Sequence, residues 1–205
     1  MGTCGGTRQA SCGLGDVRQT LAVADSMRVN HGVAYDDSLA LAEAVAMVDT
    51  WWHRTFHPAD YAKANYYYGR LLRNRGDQPA AMLAFLRAAH TDPGYPARAA
   101  RTGLPFRVVS SDEYALLGRV YSNIGSMCHL GDEFQLSYDM YAFSAASFQK
   151  ANRSTNYYYA LNDMAFEKAS MKQHDETLQL IFIIEANCEE PSVLSLVNLT
   201  KAALY

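Results

Sequence analysis

Residues 64–93 read ANYYYGRLLRNRGDQPAAMLAFLRAAHTDP, and the reading of this stretch decides the fold. Tyr66, Tyr67, Tyr68, Leu71 and Leu72 supply the large non-polar residues of a first helix. Gly76-Asp77 breaks that helix, with Asp77 placed to cap the next one and Pro79 tolerated in its first turn. Ala81, Leu83, Ala84, Phe85, Ala88 and Ala89 then form a second apolar stripe, which Pro93 closes. The order of small and large residues is the informative part. Gly69 and Ala81 let two helix backbones approach, and Phe85 fills the gap beside them.

The same order returns twice towards the C terminus. Ser111-Asp112 caps a helix carrying Leu117, Tyr121, Ile124 and Met127, with Gly125 at the small position and Gly131-Asp132 as the turn. Its partner helix sets Ser137, Tyr141 and Ser144 where the first unit has Ala81, Phe85 and Ala88. A third unit opens with TNYYYALNDMAFEKASMKQHD, where Ala165 takes the glycine position and Thr177, Ile181 and Ile184 follow. Gly69 and Gly125 are 56 residues apart, Gly125 and Ala165 are 40 apart. Against a repeat of about 34 residues, this places insertions in the loops after Pro93 and around Asn152.

The stretch resembles the tetratricopeptide repeat, W-x2-L-G-x2-Y…A-x3-F…P, with Asn65, Tyr68 and Leu72 standing at the Trp, Leu and Tyr positions. NYYYGRLLRNRGD, GRVYSNIGSMCHLGDEFQLSYDMY and NYYYALNDMAFE resemble a narrower group, the repeat-containing lipoproteins and membrane-tethered regulators of gut anaerobic bacteria. So do Ala24–Met27 and Asp36–Leu41, as opening helices. The resemblance covers about Tyr61 to Asn187. It implies an all-α, right-handed superhelical solenoid of helix-turn-helix hairpins, held outside the inner membrane, and names no substrate.

On that frame, residues 1–15 form a disordered, glycine-rich leader and 16–205 a single solenoid domain. An irregular N-terminal hairpin spans 16–57, repeats span about 60–93, 112–150 and 155–188, and a last helix spans 191–205. Leu41, Val45, Val48 and Trp52 recur at helical steps in the hairpin. GYPARAARTGLPFRVVSS, residues 94–111, is the one long break, a loop insertion or a segment folded over the groove. Ala10-Ser11-Cys12 has the form of a lipoprotein cleavage site without the basic and apolar regions that precede one. A tether through a lipidated Cys therefore requires a signal upstream. With such a signal the protein belongs to the cell envelope, and without it to the cytoplasm. Val193, Leu194, Leu196, Val197 and Leu199 expect a partner, either a continuation of the chain or a second copy.

Hydrophobic residues at 49% and charged residues at 19% describe a folded chain with a sizeable core. A net charge of −3 gives no argument for nucleic acid or an anionic membrane. The four cysteines have neither C-x-x-C spacing nor a disulfide framework, and Cys128 reads as a buried small hydrophobe. His53 and His57, four apart, lack the further ligands zinc requires and read as a solvated helix end. No G-x-S-x-G, H-E-x-x-H or phosphate-cradling loop is present, so the sequence points to no catalysis, no metal and no cofactor.

The 14 tyrosines include two YYY runs, each too wide to face one core, so that Tyr66 and Tyr157 or Tyr159 are expected at a groove. Lys63, Tyr66, Arg70 and Arg73 recur at steps of three, four and three on one face of the first helix. Arg119, Ser122 and His129 continue that stripe in the second repeat, and Tyr159 and Asn162 in the third. The expected function is a non-enzymatic scaffold that holds a protein or peptide, an acidic or C-terminal segment, in this groove. Two other readings stay open: an N-terminal sensory or periplasmic segment of a longer regulator, and a small-molecule binder with a closed pocket.

Overall fold

Ala81, Ser137 and Thr177 are all fully buried, and so are Ala88, Ser144 and Ile184. These are matching positions of three successive hairpins in a computed structural model that describes residues 14–31, 38–52, 58–92 and 109–204. In chain order the described helices are α1 (Leu14–His31), α2 (Ser38–Trp52), α3 (Pro58–Asn74), α4 (Gln78–Ala89), α5 (Ser111–Leu130), α6 (Phe134–Lys150), α7 (Ser154–Ser170), α8 (His174–Asn187) and α9 (Pro191–Ala202). The helices α1 to α8 pack chiefly on their sequence neighbours, α3 also touches α1 and α5, and α9 lies mainly on α7. The protein is an all-α solenoid of helical hairpins, with no strand among the described residues. Residues 1–13 of the glycine-rich leader, His53 and His57, Pro93 and most of the 94–111 loop lie outside the described residues, while Leu14 and Gly15, expected in the leader, already belong to α1.

What holds each hairpin closed is a large side chain laid on a missing one. A Cβ on Gly69 would stand 2.9–3.1 Å from ring atoms of Phe85, and one on Gly125 would stand 3.1–3.2 Å from Tyr141. The glycine therefore faces the ring itself, not Ala81. Gly118 makes a further contact of this kind that the repeat pattern does not contain, 2.8–2.9 Å from Phe148. Removing Cβ also uncovers the glycine carbonyls. Ser137 Oγ donates to the Gly125 carbonyl at 2.9 Å, and Ser144 Oγ to that of Gly118 at 2.8 Å. That satisfies both buried hydroxyls at positions where the first hairpin has alanine.

Three turns inside hairpins, and one between α6 and α7, share a single geometry. Asp77, Glu133, Arg153 and Gln173 donate their N–H groups five residues back, to Leu72, Cys128, Phe148 and Lys168. The residue before each of these is left-handed: Gly76 (φ 83°), Asp132 (φ 58°), Asn152 (φ 54°) and Lys172 (φ 60°). These are Schellman ends, satisfying carbonyls that the helix leaves open. Gly131 is thus not the counterpart of Gly76. Its φ is −99°, and Asp132 takes the left-handed place.

Three further expectations change. The cap of α5 is Ser110, not Ser111: it exchanges side-chain and backbone bonds with Glu113 in a capping box. The extra residues between Gly125 and Ala165 do not form a loop at Asn152, which sits in a tight turn. They lengthen α6 to 17 residues against 12 in α4. Val193 and Val197 find partners inside the array, fully buried where α9 lies on α7 and α8, whereas Leu199 stays 66% exposed.

Two substitutions separate these roles. Gly69→Leu forces a side chain into Phe85 and is expected to cost about 1–3 kcal/mol, whereas Gly131→Ala, whose Cβ would meet nothing nearer than 3.5 Å, leaves the melting temperature unchanged or raised. Lys172→Gly relieves a left-handed lysine with an exposed side chain, and a gain of about 0.5–1 kcal/mol in a denaturant titration is expected.

Candidate functional site

The first helices of successive hairpins, α1, α3, α5 and α7, face a common channel. Its larger part, about 730 Å³, is lined by Asp25, Lys63, Glu113, Arg119 and Arg153 among others. A smaller part of about 300 Å³ lies between Tyr66, Arg119, Ser122, Phe148, Tyr159 and Asp163. Arg119 lines both.

Charge in the larger part is mostly spent internally. Lys63 Nζ and the Tyr67 hydroxyl both donate to Asp25, and Arg28 lies 3.8 Å from the same carboxylate. Burial pushes the Asp25 pKa up, but the bonds from Lys63 and Tyr67 outweigh it and hold the carboxyl below its ordinary value. Arg153 pairs with Asp112 at 3.4 Å. Among the basic side chains lining this cavity, Arg119 alone has no hydrogen bond or ion pair with the described residues. Its Nε is buried without a partner, and its guanidinium rests 6.0 Å from the Tyr66 ring centroid. Burial draws its pKa below the ordinary arginine value, as expected of a charge taken from water without a counter-ion.

The other expected groove residues are placed as follows. Arg70 sits 5.9 Å from the same Tyr66 ring. Arg73 reaches across to α5, donating to Asn123 Oδ1 at 2.9 Å and to Ser126 Oγ at 3.0 Å. His129 Nδ1 lies 3.0 Å and 3.1 Å from the two carboxylate oxygens of Glu167, so Nδ1 carries the proton that is donated. Ser122 and Tyr159 line the smaller cavity, with the Tyr159 hydroxyl donating to Ser192 Oγ at 2.6 Å. Asn162 is buried and accepts a bond from Thr200 of α9. The channel thus gathers Lys63, Tyr66, Arg119, Ser122 and Tyr159, while Arg70, Arg73, His129 and Asn162 lie off its lining.

In the first tyrosine run, Tyr66 belongs to the core cluster and also lines the smaller cavity. Tyr66 and Tyr67 are both buried and Tyr68 packs on the same cluster, because α1 covers the side that a two-helix unit would leave open. Asp163 is the residue that the sequence reading passed over. It follows Asn162 on α7 and enters the smaller cavity one helical turn before Glu167. Burial, with the Glu167 charge adding to it, pushes its pKa up to about 7, while His129 pulls the other way. The available signal was a carboxylate at the position held by Tyr67 and Asn123 in the earlier repeats.

No helix among the described residues is long and apolar enough to cross a membrane, and no group of three metal-ligating side chains is found among them. No protein-family model, no curated protein and no solved structure matches the chain.

Asp163 makes stability depend on pH in a defined direction. Its folded pKa of about 7 stands above the ordinary 3.8, so folding takes up a proton between these values. Stability is lost as pH rises from about 4 through about 7. Asp163→Asn removes this dependence. The melting temperature of the wild type, relative to the variant, is expected to be lower at pH 8 than at pH 5, and an equal difference at both would contradict the assignment.

Proposed function

We propose that the chain is a non-enzymatic, peptide-binding scaffold of the tetratricopeptide type, which holds an acidic or C-terminal peptide segment along the channel of its first helices. The observation that carries this reading is Arg119. Its guanidinium is partly buried, with Nε shut away from any hydrogen-bond partner, and it lines both cavities, a placement that is costly to the fold and complementary to a carboxylate. Its planar fork suits a carboxylate bidentately, and the Tyr66 ring lies 6.0 Å from it. The channel favours an extended segment over an enclosed small molecule, because it runs past several helices. Lys63 has its charge balanced by Asp25 within the protein, and Arg73 is held off the lining by Asn123 and Ser126.

Binding to an array of immobilised 12-residue peptides, displayed with free or amidated C termini, tests the reading. Acidic or free-acid peptides should be selected by the wild type, and Arg119→Gln should weaken that selection about tenfold or more, the worth of a charge-assisted pair. The variant should melt no lower than the wild type, since it loses a partly buried charge with no ion pair. Equal selection by both proteins would remove the proposal.

A further inference from the structure

The smaller cavity holds a second charge with no hydrogen bond or ion pair, and it is of opposite sign to the first. Asp163 and Arg119 line the same space of about 300 Å³, yet they do not pair with each other. Asp163 also lacks any hydrogen bond or ion pair with the described residues. Its neighbour Glu167 is engaged by His129. Arg73 of α3 is bonded to Asn123 and Ser126 of α5, and Tyr141 of α6 contributes only a neutral hydroxyl. The cavity therefore presents a cation and an anion, each without a partner, with the rings of Tyr66, Phe148 and Tyr159 among its walls.

A ligand group with one charge would satisfy one of these side chains and bury the other unpaired. A bipolar group satisfies both. A compact ammonium is the cation that suits the Asp163 end. Three-ligand metal sites are not present among the described residues, and an aromatic wall favours an ammonium further. We propose that this cavity takes a bipolar group, its carboxylate on Arg119 and its primary ammonium on Asp163, so that the bound peptide segment carries an amine close to an acid. This rests on the peptide-binding reading and adds the second anchor to it. An ionised Asp163 is required, and above pH 7 the carboxyl is in that form.

The test uses probes that isolate the two charges. The full chain is titrated at pH 8 by heteronuclear NMR with hexanoate, hexylammonium and the ω-amino acids 4-aminobutyrate, 6-aminohexanoate and 8-aminooctanoate. The best-fitting ω-amino acid is expected to bind about tenfold or more tightly than either singly charged probe, one additional charge-assisted contact. Asp163→Asn should abolish its advantage over hexanoate and leave hexanoate binding intact. Arg119→Gln should abolish its advantage over hexylammonium. Both variants remove a partly buried charge with no hydrogen bond or ion pair among the described residues, so loss of folding is not the expected result, and melting curves check this. If no ω-amino acid exceeds hexanoate, or if Asp163→Asn retains the full advantage, the bipolar site is wrong. If hexanoate alone binds and Arg119→Gln abolishes it, this inference fails while the peptide-carboxylate reading survives. If no probe binds, the bipolar site fails, and the peptide array judges the scaffold reading separately.

Discussion

The whole array depends on one contact, a bulky side chain lying where a helix has no Cβ. Phe85 lies on Gly69 and Tyr141 on Gly125, each pair 16 residues apart. The third hairpin keeps the spacing but changes both members: Ala165 gains a methyl, and Ile181 replaces a ring. The added methyl and the smaller aliphatic side chain offset each other in volume. Ser137 and Ser144 follow from the same constraint, since a bare glycine carbonyl in the core needs a donor and a serine on the facing helix supplies it.

Because this constraint is local and periodic, the fold was largely legible in the sequence. Small-large-small spacing fixed which helix faces pair, and the buried positions of all three hairpins follow it. What was not legible had physical causes. A glycine one residue from a left-handed site is indistinguishable, by composition alone, from the left-handed residue itself, and at Gly131 the neighbouring Asp132 took that role. Extra residues between repeats read as a loop, yet α6 absorbed them because its sequence contains no breaker. Gly118 escaped notice because the repeat pattern has no small residue there.

The channel was legible to a lesser degree. Of the residues that helical steps of three and four picked out, Lys63, Tyr66, Arg119, Ser122 and Tyr159 line the cavities, and Arg70, Arg73, His129 and Asn162 do not. Periodicity cannot say which of several charged residues already has a partner. That depends on the N-terminal hairpin, which brings Asp25 to Lys63 and Tyr67, and on Asn123 and Ser126, which hold Arg73. Within the stripe, Asp25 balances the Lys63 charge, whereas Arg73 is fixed in place by neutral partners and keeps its charge. Asp163 carried no such pattern. It is one carboxylate among 21 acidic residues, and only burial distinguishes it.

Arg119 has a consequence for how such a protein can change. A partly buried guanidinium with an unsatisfied Nε and no counter-charge lowers the stability of the empty fold, and replacing it with an apolar residue of similar length should raise that stability. Selection for thermal robustness alone would remove it. Its persistence in a lineage would therefore measure the use made of the channel, independently of any partner, and sequences that have lost the arginine should be the more heat-resistant members.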